Sequence, residues 1–471
     1  DLLLVNSSAT HALLNVIPEA LAEYPLSPGQ KSLWFMHQLA PESDAYNLAF
    51  ASRLHSLSDV DALQRAFQAL VERHPSLRTT FTSVQGEPVQ RVSNNVEVFF
   101  RTEDASRWTE TELNERLAQE ARRPFNLGEG PLIRVNLFTR PNSEQPNSEQ
   151  IVLLTLHHIV ADFWSLAVLV NELGILYEAE HAGTALKLAP LPLPYTGYVR
   201  WQATMLAGEE GERLWAYWQK RLAGDLPVLN LPADRSRPPV QTYRGASYPF
   251  RLDAETSRKL KALGREHGAT LYMTLLAAFQ VLLNRYTAQT DILIGSPTAG
   301  RNWTELGGLV GYFVNPIALR ANMSGDPTFE DFLDNTRQNV LADFEHQAYP
   351  FAELVKRLQP DRDPSRASLF QVMFAWQNNQ QAVIDYLLGT AGRAPSLSGH
   401  GDQPGEPQTF IEGVISTALQ STGGNGNYWD YLAVDPVLPS RWRYGTIHMG
   451  GPGVARHLIS GDVPTPDGPR V

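Results

Sequence analysis

The sequence contains no cysteine. This absence excludes disulfide bonds, thiolate nucleophiles and zinc sites that are built on cysteine. The sequence also contains no HExxH pattern and no GxSxG pattern, so neither a metalloprotease helix nor a serine-hydrolase nucleophile turn is predicted. The chemistry of this chain must therefore come from other residue types.

Positive charge and long apolar runs are also scarce. The chain has 39 Lys and Arg against 50 Asp and Glu, a net charge of −11, whereas a nucleic-acid-binding surface needs clustered Lys and Arg. No apolar run approaches the ~18 residues of a membrane span, and the first residues lack the basic region of a signal peptide. The sequence begins with Asp1 and not with Met, which is typical of a piece of a longer chain. We expect a cytoplasmic location, with neither nucleic acid nor a membrane as a partner.

The sequence is rich enough in apolar residues to form a sizeable core. Its 471 residues and its hydrophobic share of 43% predict two or three globular domains. Helical and strand-like patterns alternate in both halves, which predicts an α+β fold with helices over mixed sheets. Residues 90–102 are predicted to form one strand, and residues 200–223 one helix that carries three tryptophans.

The composition also predicts where the domains begin and end. The Pro-rich stretch LKLAPLPLPY at 186–195 indicates an extended linker. Gly and Pro make up about a quarter of the residues after 377, against about a ninth before, which is typical of low-complexity segments. The predicted segments are an N-terminal linker (1–23), an N-terminal lobe (24–185), a C-terminal lobe (186–377) and a linker-like or disordered tail (378–471). The tail can also be interpreted as an unrelated appendage or an altered reading frame.

A repeated five-residue unit interrupts the N-terminal lobe. The stretch PNSEQPNSEQ at 141–150 is small, polar and rich in turn residues. It predicts a lengthened surface loop without a functional role.

The most informative stretch is QIVLLTLHHIVADFWSLAVLVNELGIL at 150–176. Its apolar start predicts a buried strand, and the helical spacing behind Ser165 predicts a helix with Ser165 as its N-cap. His157 and His158 lie between the two elements, and because strand side chains alternate, they should not point into the same cavity. Two interpretations remain open: both histidines are satisfied by backbone groups, or one of them acts as a base or positions an external nucleophile. His158 and Asp162 would supply only two metal ligands, so no metal site is predicted.

The stretch HHIVADFWS at 157–165 resembles the HHxxxDG motif of condensation domains of non-ribosomal peptide synthetases, which are relatives of chloramphenicol acetyltransferase. Six more stretches resemble the other motifs of that family in the family's order. They are LSPGQKSLWF (26–35), RHPSLRTTF (73–81), YTGYVRW (195–201), VGYFVNPIALR (310–320), HQAYPFAEL (346–354) and RDPSRASLF (362–370). The resemblance covers residues 24–377.

The resemblance implies a fold and an activity. The fold would be two chloramphenicol acetyltransferase-like lobes in a V-shaped pseudo-dimer with a central tunnel. Donor and acceptor carrier proteins of adjacent synthetase modules would dock at its ends, each with a thioester on a phosphopantetheine arm, and no directly bound cofactor is implied. The acceptor amine would attack the donor thioester to form an amide in secondary-metabolite biosynthesis. Epimerisation, ester-forming acyl transfer and a catalytically silent docking platform are the alternatives.

The resemblance also implies roles for individual residues. His158 would be the catalytic residue, which orients the acceptor amine and takes up its proton, and His157 would support it. Asp162 would be structural and paired with an arginine, for which Arg78 and Arg301 are both candidates. The residues implied to line or support the tunnel are Phe163, Trp164, Trp201 and Asn315. For Trp201 and Asn315, plain packing at the junction of the lobes is an equally good interpretation.

Three features depart from the family pattern. Phe163 replaces the glycine of the HHxxxDG motif, which predicts a bulkier turn and a differently shaped tunnel. The resulting FWS variant resembles domains of hybrid polyketide–peptide assembly lines, which would make the donor a polyketide or fatty acyl chain. Gly197 replaces the usual Asp of the fourth motif, and nothing after residue 377 resembles the closing elements of the family.

Overall fold

The computed structural model describes residues 23–54, 59–140, 149–185, 188–239, 250, 252–360, 363, 365–376 and 448–449. The predicted N-terminal linker (apart from residue 23), the duplicated loop at 141–148 and the tail apart from residues 448–449 lie outside these ranges. The chain forms two compact units. Unit 1 extends to residue 205 and also includes residues 301–313, whereas unit 2 includes residues 206–300 and 314–377.

Unit 1 is built from mixed sheets and helices. Its strands are β1 (Tyr24–Pro25), β2 (Asn47–Leu54), β3 (Thr79–Val84), β4 (Glu87–Val92), β5 (Phe99–Asp104), β6 (Ile133–Arg140) and β7 (Glu149–His157). Its helices are α1 (Pro28–Leu39), α2 (Val60–Arg73), α3 (Glu110–Arg122), α4 (Phe163–His181) and most of α5 (Tyr195–Ala207). The larger sheet has the order β2-β7-β6-β5, in which β7 is antiparallel to both neighbours and β5 is parallel to β6. A smaller antiparallel sheet has the order β1-β4-β3.

Strand β7 lies inside the larger sheet and is buried on both faces. Val152, Leu154 and Leu156 pack into a core that also holds residues of α2 and α4. Ile151 and Leu153 pack on the opposite face, in a core with residues of α3. Burial on both faces explains why an uninterrupted apolar run, and not an alternating pattern, encodes this strand.

The start of helix α1 is encoded by its first residues. The Ser27 hydroxyl accepts the Gln30 N–H at 3.1 Å, and the Gln30 side-chain oxygen accepts the Ser27 N–H at 3.1 Å. This reciprocal pair satisfies two donors that the first helical turn leaves without an intrahelical partner. Pro28 follows as the first helical residue, where its missing N–H costs nothing.

Two predicted elements are each divided in the structure. The predicted strand at 90–102 is wrong as a single element, because β4 ends at Val92 and β5 begins at Phe99 in the other sheet. The predicted helix at 200–223 is two helices, since Gly208 leaves the helical conformation between α5 and the next helix. The pattern of polar and apolar residues continues through both stretches. It therefore predicted a strand and a helix correctly but did not reveal where each one is interrupted.

Unit 2 repeats the α+β pattern, as the sequence predicted. Its helices are α6 (Glu209–Arg221), α7 (Ala254–Glu266), α8 (Leu271–Thr287), α9 (Phe329–Glu345) and α10 (Phe351–Leu358). Its strands are β8 (Asp291–Thr298), β9 (Asn315–Asn322), β10 (Val372–Met373) and β11 (His448–Met449). They form a mixed sheet in the order β11-β10-β8-β9, with β8 antiparallel to β9 and parallel to β10.

The boundary between the units lies at residue 205, beyond the predicted boundary near 186. Tyr195, Tyr198 and Val199 of α5 form a buried cluster with Leu309 and Phe313. This packing keeps α5 in unit 1 and brings residues 301–313 back to it from the second half of the chain. Within the described ranges, no helix combines the length and the apolar character that spanning a membrane requires.

Candidate functional site

The candidate site is the turn between β7 and α4. His157 is the last residue of β7, and α4 begins at Phe163. The predicted N-cap, Ser165, is wrong. The cap is Asp162, whose carboxylate accepts the Ser165 N–H at 2.8 Å. Asp and Ser are both favoured N-cap residues. Asp162, which lies nearer to the end of β7, is the residue that closes this short turn.

His158 is fully buried and has a defined proton position. Its backbone N–H donates to the Tyr46 carbonyl oxygen at 2.8 Å, and its Nδ1 lies 2.8 Å from the Ala161 carbonyl oxygen. Because a carbonyl oxygen can only accept, Nδ1 must carry the hydrogen of this bond. In the neutral imidazole the lone pair is therefore on Nε2, which is the atom able to take up a proton.

His157 has different surroundings, as strand alternation predicted. Its Nδ1 accepts the Ile159 N–H at 3.1 Å, and its ring packs edge-on against His37 and Phe125. Burial holds the pKa of His157 well below its usual 6.5, and the nearby His37 and His158 lower it further. His157 is thus a neutral residue of the core, and the backbone-satisfied interpretation applies to it.

Asp162 joins three parts of unit 1 through its carboxylate. Oδ1 accepts from the Ser165 N–H (2.8 Å), the Ser165 hydroxyl (2.7 Å) and the Arg301 guanidinium (3.1 Å). Oδ2 accepts from Arg301 at 2.6 Å and from the Phe313 N–H at 3.2 Å. A buried carboxylate is tolerated when its lone pairs are matched by donors in this way. One side chain thereby fixes the start of α4, Arg301 and residues 311–313.

Arg301 is the arginine that pairs with Asp162. Its side chain is 3% exposed and also donates to the Leu309 carbonyl oxygen at 3.1 Å. The guanidinium carbon lies 4.1 Å from the centroid of the Phe313 ring. The other candidate, Arg78, is wrong as the partner, because its guanidinium donates to the Ser93 carbonyl oxygen. The two candidates could not be separated by sequence, since a pair that is so distant in sequence has no local pattern.

The loop before β9 is held against the start of α4. The Ser165 hydroxyl lies 3.1 Å from both the N and the O of Gly311. The neighbouring Tyr312 ring meets the His158 ring nearly at right angles, with the ring centroids 5.0 Å apart. Sequence reasoning missed Ser165, Gly311 and Tyr312 as site residues. Their only signal was that Ser165 ends HHIVADFWS and that the other two lie in VGYFVNPIALR.

The first and fourth motifs meet the same turn. The Gln30 side-chain amide donates to the Ile159 carbonyl oxygen at 3.1 Å. The Tyr195 hydroxyl donates to the Tyr312 carbonyl oxygen at 2.6 Å and lies 3.2 Å from the Ser27 hydroxyl. The residues that carried the resemblance in motifs one, three, four and five therefore form one continuous network in unit 1.

Two of the predicted tunnel residues begin α4. Phe163 is half-buried and packs against the core that α4 shares with β7. It has no positive φ, so the helix accepts a side chain at the family's glycine position without backbone strain. Trp164 is 37% exposed, and its indole N–H donates to the Gly307 carbonyl oxygen at 2.8 Å.

The other two make packing contacts within their own units. In unit 1, the Trp201 ring packs edge-on against the Trp303 ring, with the ring centroids 4.0 Å apart. The Asn315 side chain, in unit 2, donates to the carbonyl oxygens of Gln347 and Tyr349 and accepts the Phe351 N–H, each at 2.8 Å. These contacts support the packing interpretation, and a tunnel role for any of the four residues stays a prediction.

Metal ligands do not gather in this site. Across the ranges that the structure describes, no group of three or more His, Asp or Glu side chains could hold a metal ion. The groups at the turn that are chemically suited to take part in a reaction are the His158 imidazole and the Asp162–Arg301 pair.

The chain is similar in sequence to parts of very large synthetases. It is 46% identical over 358 residues to a linear gramicidin synthase of Brevibacillus parabrevis, which covers 75% of this chain and 5% of that protein. It is 40% identical over 362 residues to tyrocidine synthase 3 of the same organism, with 77% and 5% covered. The chain thus spans about a twentieth of the length of these relatives.

Solved structures agree with this likeness. The X-domain from teicoplanin biosynthesis superposes with a TM-score of 0.70 at 30% identity, covering 76% of this chain and 78% of that one. The condensation domain of the monacolin K polyketide synthase MokA superposes with a TM-score of 0.66 at 23% identity and supports the fold, with 76% and 82% covered. The predicted α+β fold of the chloramphenicol acetyltransferase type is confirmed. The model of the condensation domain family matches residues 20–395, and the chain belongs to that family, as its HHxxxD stretch and six further motifs predicted.

Proposed function

We propose that this chain forms an amide bond between a donor acyl or peptidyl thioester and the amine of an acceptor aminoacyl thioester. Both thioesters would be carried on phosphopantetheine arms of carrier proteins from adjacent synthetase modules, in the biosynthesis of a secondary metabolite. The observation that carries the proposal is the state of His158, whose Nδ1 hydrogen bonds the Ala161 carbonyl oxygen and leaves Nε2 as the proton acceptor. Membership of the condensation domain family supports the reaction class.

In the proposed reaction, the acceptor nitrogen attacks the thioester carbon of the donor. The C–N bond forms, the nitrogen loses its proton to Nε2 of His158, and the C–S bond breaks. The imidazolium then returns the proton to the departing thiolate, so that a free thiol and a neutral imidazole remain. Holding the amine in line with the carbonyl carbon contributes beside the proton transfer, because correctly oriented reactants need no further ordering.

Asp162 and Arg301 would act through architecture in this scheme. Their charges offset one another, and they are surrounded by donors and carbonyl oxygens inside unit 1. The pair fixes the turn that carries His158 and does not touch the reacting atoms. Removing either partner would leave an uncompensated buried charge.

The class of donor is a separate part of the proposal. The FWS sequence after Asp162 favours a polyketide or fatty acyl donor, as in the hybrid assembly lines that it resembles. Phe163 supports a donor class that differs from that of family members with glycine at this position, because its side chain occupies space that a glycine leaves open. Parallel reactions with octanoyl, aminoacyl and dipeptidyl donors on the same carrier protein would rank these classes.

A second candidate function is a docking platform without catalysis. It is favoured by the likeness to the X-domain, which has been solved in a complex with OxyB from teicoplanin biosynthesis. The intact HHxxxD stretch and the defined state of His158 favour catalysis. If the chain only docks a partner, the His158→Ala substitution should not change the affinity for that partner.

The test is to analyse the product formed between a loaded donor carrier and a loaded acceptor carrier. We expect the acceptor arm to gain the mass of the donor acyl group. Mild hydroxylamine, which cleaves thioesters, should then release the product from the arm with its new amide bond intact. Carriers incubated without the chain serve as the control. Inversion of the loaded residue without a gain in mass would instead indicate epimerisation, and transfer only to a hydroxyl acceptor would indicate ester formation. Transfer to neither acceptor would contradict the proposal.

A further inference from the structure

Tyr312 lies directly against the imidazole of His158. Both side chains are buried, and their rings meet at 87° with their centroids 5.0 Å apart. This edge-to-face arrangement is the preferred geometry for neighbouring aromatic rings. The terminal torsion angle of a histidine side chain otherwise has a broad range of values. Contact with the phenol ring therefore restricts the rotation of the His158 imidazole about this bond.

The position of Tyr312 is fixed from three sides. Its carbonyl oxygen accepts the Tyr195 hydroxyl at 2.6 Å. On either side of it, Gly311 contacts the Ser165 hydroxyl and Phe313 donates to Asp162. The phenol ring is therefore placed by the same network that places the turn of His158.

Gly29 of α1 makes room for the Tyr312 ring. A Cβ atom added at Gly29 would lie 2.6 Å from Cε1 and 3.0 Å from Cδ1 of Tyr312. Real Cβ atoms do not approach other atoms so closely, so the ring would have to move. Gly29 lies in the first turn of α1, where its helix would otherwise favour alanine.

We propose that Tyr312 is a positioning residue for His158 and that Gly29 admits its ring. The phenol ring holds the imidazole in the orientation in which Nδ1–H meets the Ala161 carbonyl oxygen and Nε2 faces the acceptor amine. The functional part of this inference rests on the proposed amide-forming activity, while the orientation of the His158 ring can be measured without it. Small displacements of a reacting group are costly, since a shift of about 1 Å can slow a reaction ~100-fold.

The inference is tested with Tyr312→Leu, Tyr312→Phe and Gly29→Ala, and with Tyr286→Leu of unit 2 as a matched control. In the full chain with ¹⁵N-labelled histidine, we expect the His158 resonances of Tyr312→Phe, which keeps the ring, to lie closer to the wild type than those of Tyr312→Leu. Tyr312→Leu should shift these resonances and mix the two neutral tautomers. In the transfer reaction, Tyr312→Leu should lower kcat ~10- to 100-fold with KM changed less than about threefold. Tyr312→Phe, which keeps the ring, should lower kcat less than Tyr312→Leu does, and Tyr286→Leu should leave both unchanged.

A double-substitution cycle separates positioning from general damage. We expect Gly29→Ala to lower kcat in the wild-type background and to have little further effect once Tyr312→Leu has removed the ring. Equal effects of Gly29→Ala in both backgrounds, or His158 resonances that Tyr312→Leu leaves unshifted, would overturn the inference. If Tyr312→Leu fails to fold, the His158 resonances of Gly29→Ala decide. If the wild type transfers nothing, the proposed function fails, and the resonances still decide the positioning role.

Discussion

Each unit buries an ion pair between an aspartate and an arginine, and the two pairs differ in what they hold. In unit 1, Asp162 and Arg301 are 2.6 Å apart with side chains 1% and 3% exposed. In unit 2, Asp343 and Arg221 are 2.9 Å apart with side chains 0% and 19% exposed. Asp162 caps α4 beside His158, whereas Asp343 lies near the end of α9 and also accepts the Tyr217 hydroxyl at 2.6 Å. An imidazole lies near both pairs, since His346 follows Asp343. A buried ion pair with a nearby histidine therefore indicates architecture alone, and the first pair is part of a candidate site because Asp162 belongs to the HHxxxD turn that carries His158.

The largest effect is expected from Asp162→Ala. It leaves the Arg301 guanidinium buried without its partner and removes the cap of α4, so the free energy of unfolding should fall by ~3–5 kcal/mol. Urea unfolding followed by tryptophan fluorescence measures this loss, and amide formation should disappear with it. A loss below about 1 kcal/mol would show that the pair is not the central support of unit 1.

A smaller effect is expected from Asp343→Ala. Arg221 is partly exposed and also donates to the Arg320 carbonyl oxygen, so it keeps a partner, and we expect a loss of ~1–3 kcal/mol. The rate of amide formation per folded molecule should stay at the wild-type value. If this rate fell as steeply as in Asp162→Ala, the contrast between the two pairs would not hold.

The two units should also respond to acid with opposite signs. Burial holds the pKa of His157 well below 6.5, so the unfolded chain binds this proton first, and the stability that His157 contributes above pH 6.5 is lost as the pH falls. Burial raises the pKa of Asp343 above 3.8 more strongly than Arg221 lowers it, so the folded chain binds this proton first. The part of the stability that comes from this raised pKa is present below pH 3.8 and is lost as the pH rises through the raised pKa.

Urea midpoints of His157→Asn and Asp343→Asn between pH 4 and 7.5 measure the two signs. Relative to the wild type, the first variant should gain stability as the pH falls, and the second should lose it. Shifts of the same sign in both variants would contradict the assignment of the two buried groups.

The smallest effect is expected from Arg78→Gln. Arg78 donates to the exposed Ser93 carbonyl oxygen and has no contact with Asp162, so the free energy of unfolding should change by less than about 1 kcal/mol and the transfer rate should not change. Arg301→Gln is the matched comparison and should behave like Asp162→Ala. Loss of transfer in Arg78→Gln would show that Arg78 supports the site by a route other than the ion pair.

Sequence reasoning predicted what local patterns encode. The buried run that becomes β7 and the different surroundings of His157 and His158 both follow from neighbours in sequence. The helix after the turn was predicted, but its cap was placed at Ser165 because Asp and Ser are both favoured at that position.

The missing parts of the site depend on contacts between distant residues. Neither the choice of Arg301 over Arg78 nor the approach of Tyr312 to His158 leaves a periodic signal in the sequence. The motifs contained these residues, and only the folded chain showed which side chains meet. The same holds for Gly29, whose role is visible only from the ring that lies against it.

The most direct test of the account is the rate of amide formation by His158→Ala. The substitution should be assayed on protein whose urea midpoint matches the wild type, with His181→Ala at the exposed end of α4 as the histidine control. Because a positioned proton acceptor contributes ~10²–10⁴-fold, we expect His158→Ala to be slower by a factor in this range and His181→Ala to be unchanged. Wild-type transfer by His158→Ala would contradict the assignment of His158 as the catalytic residue.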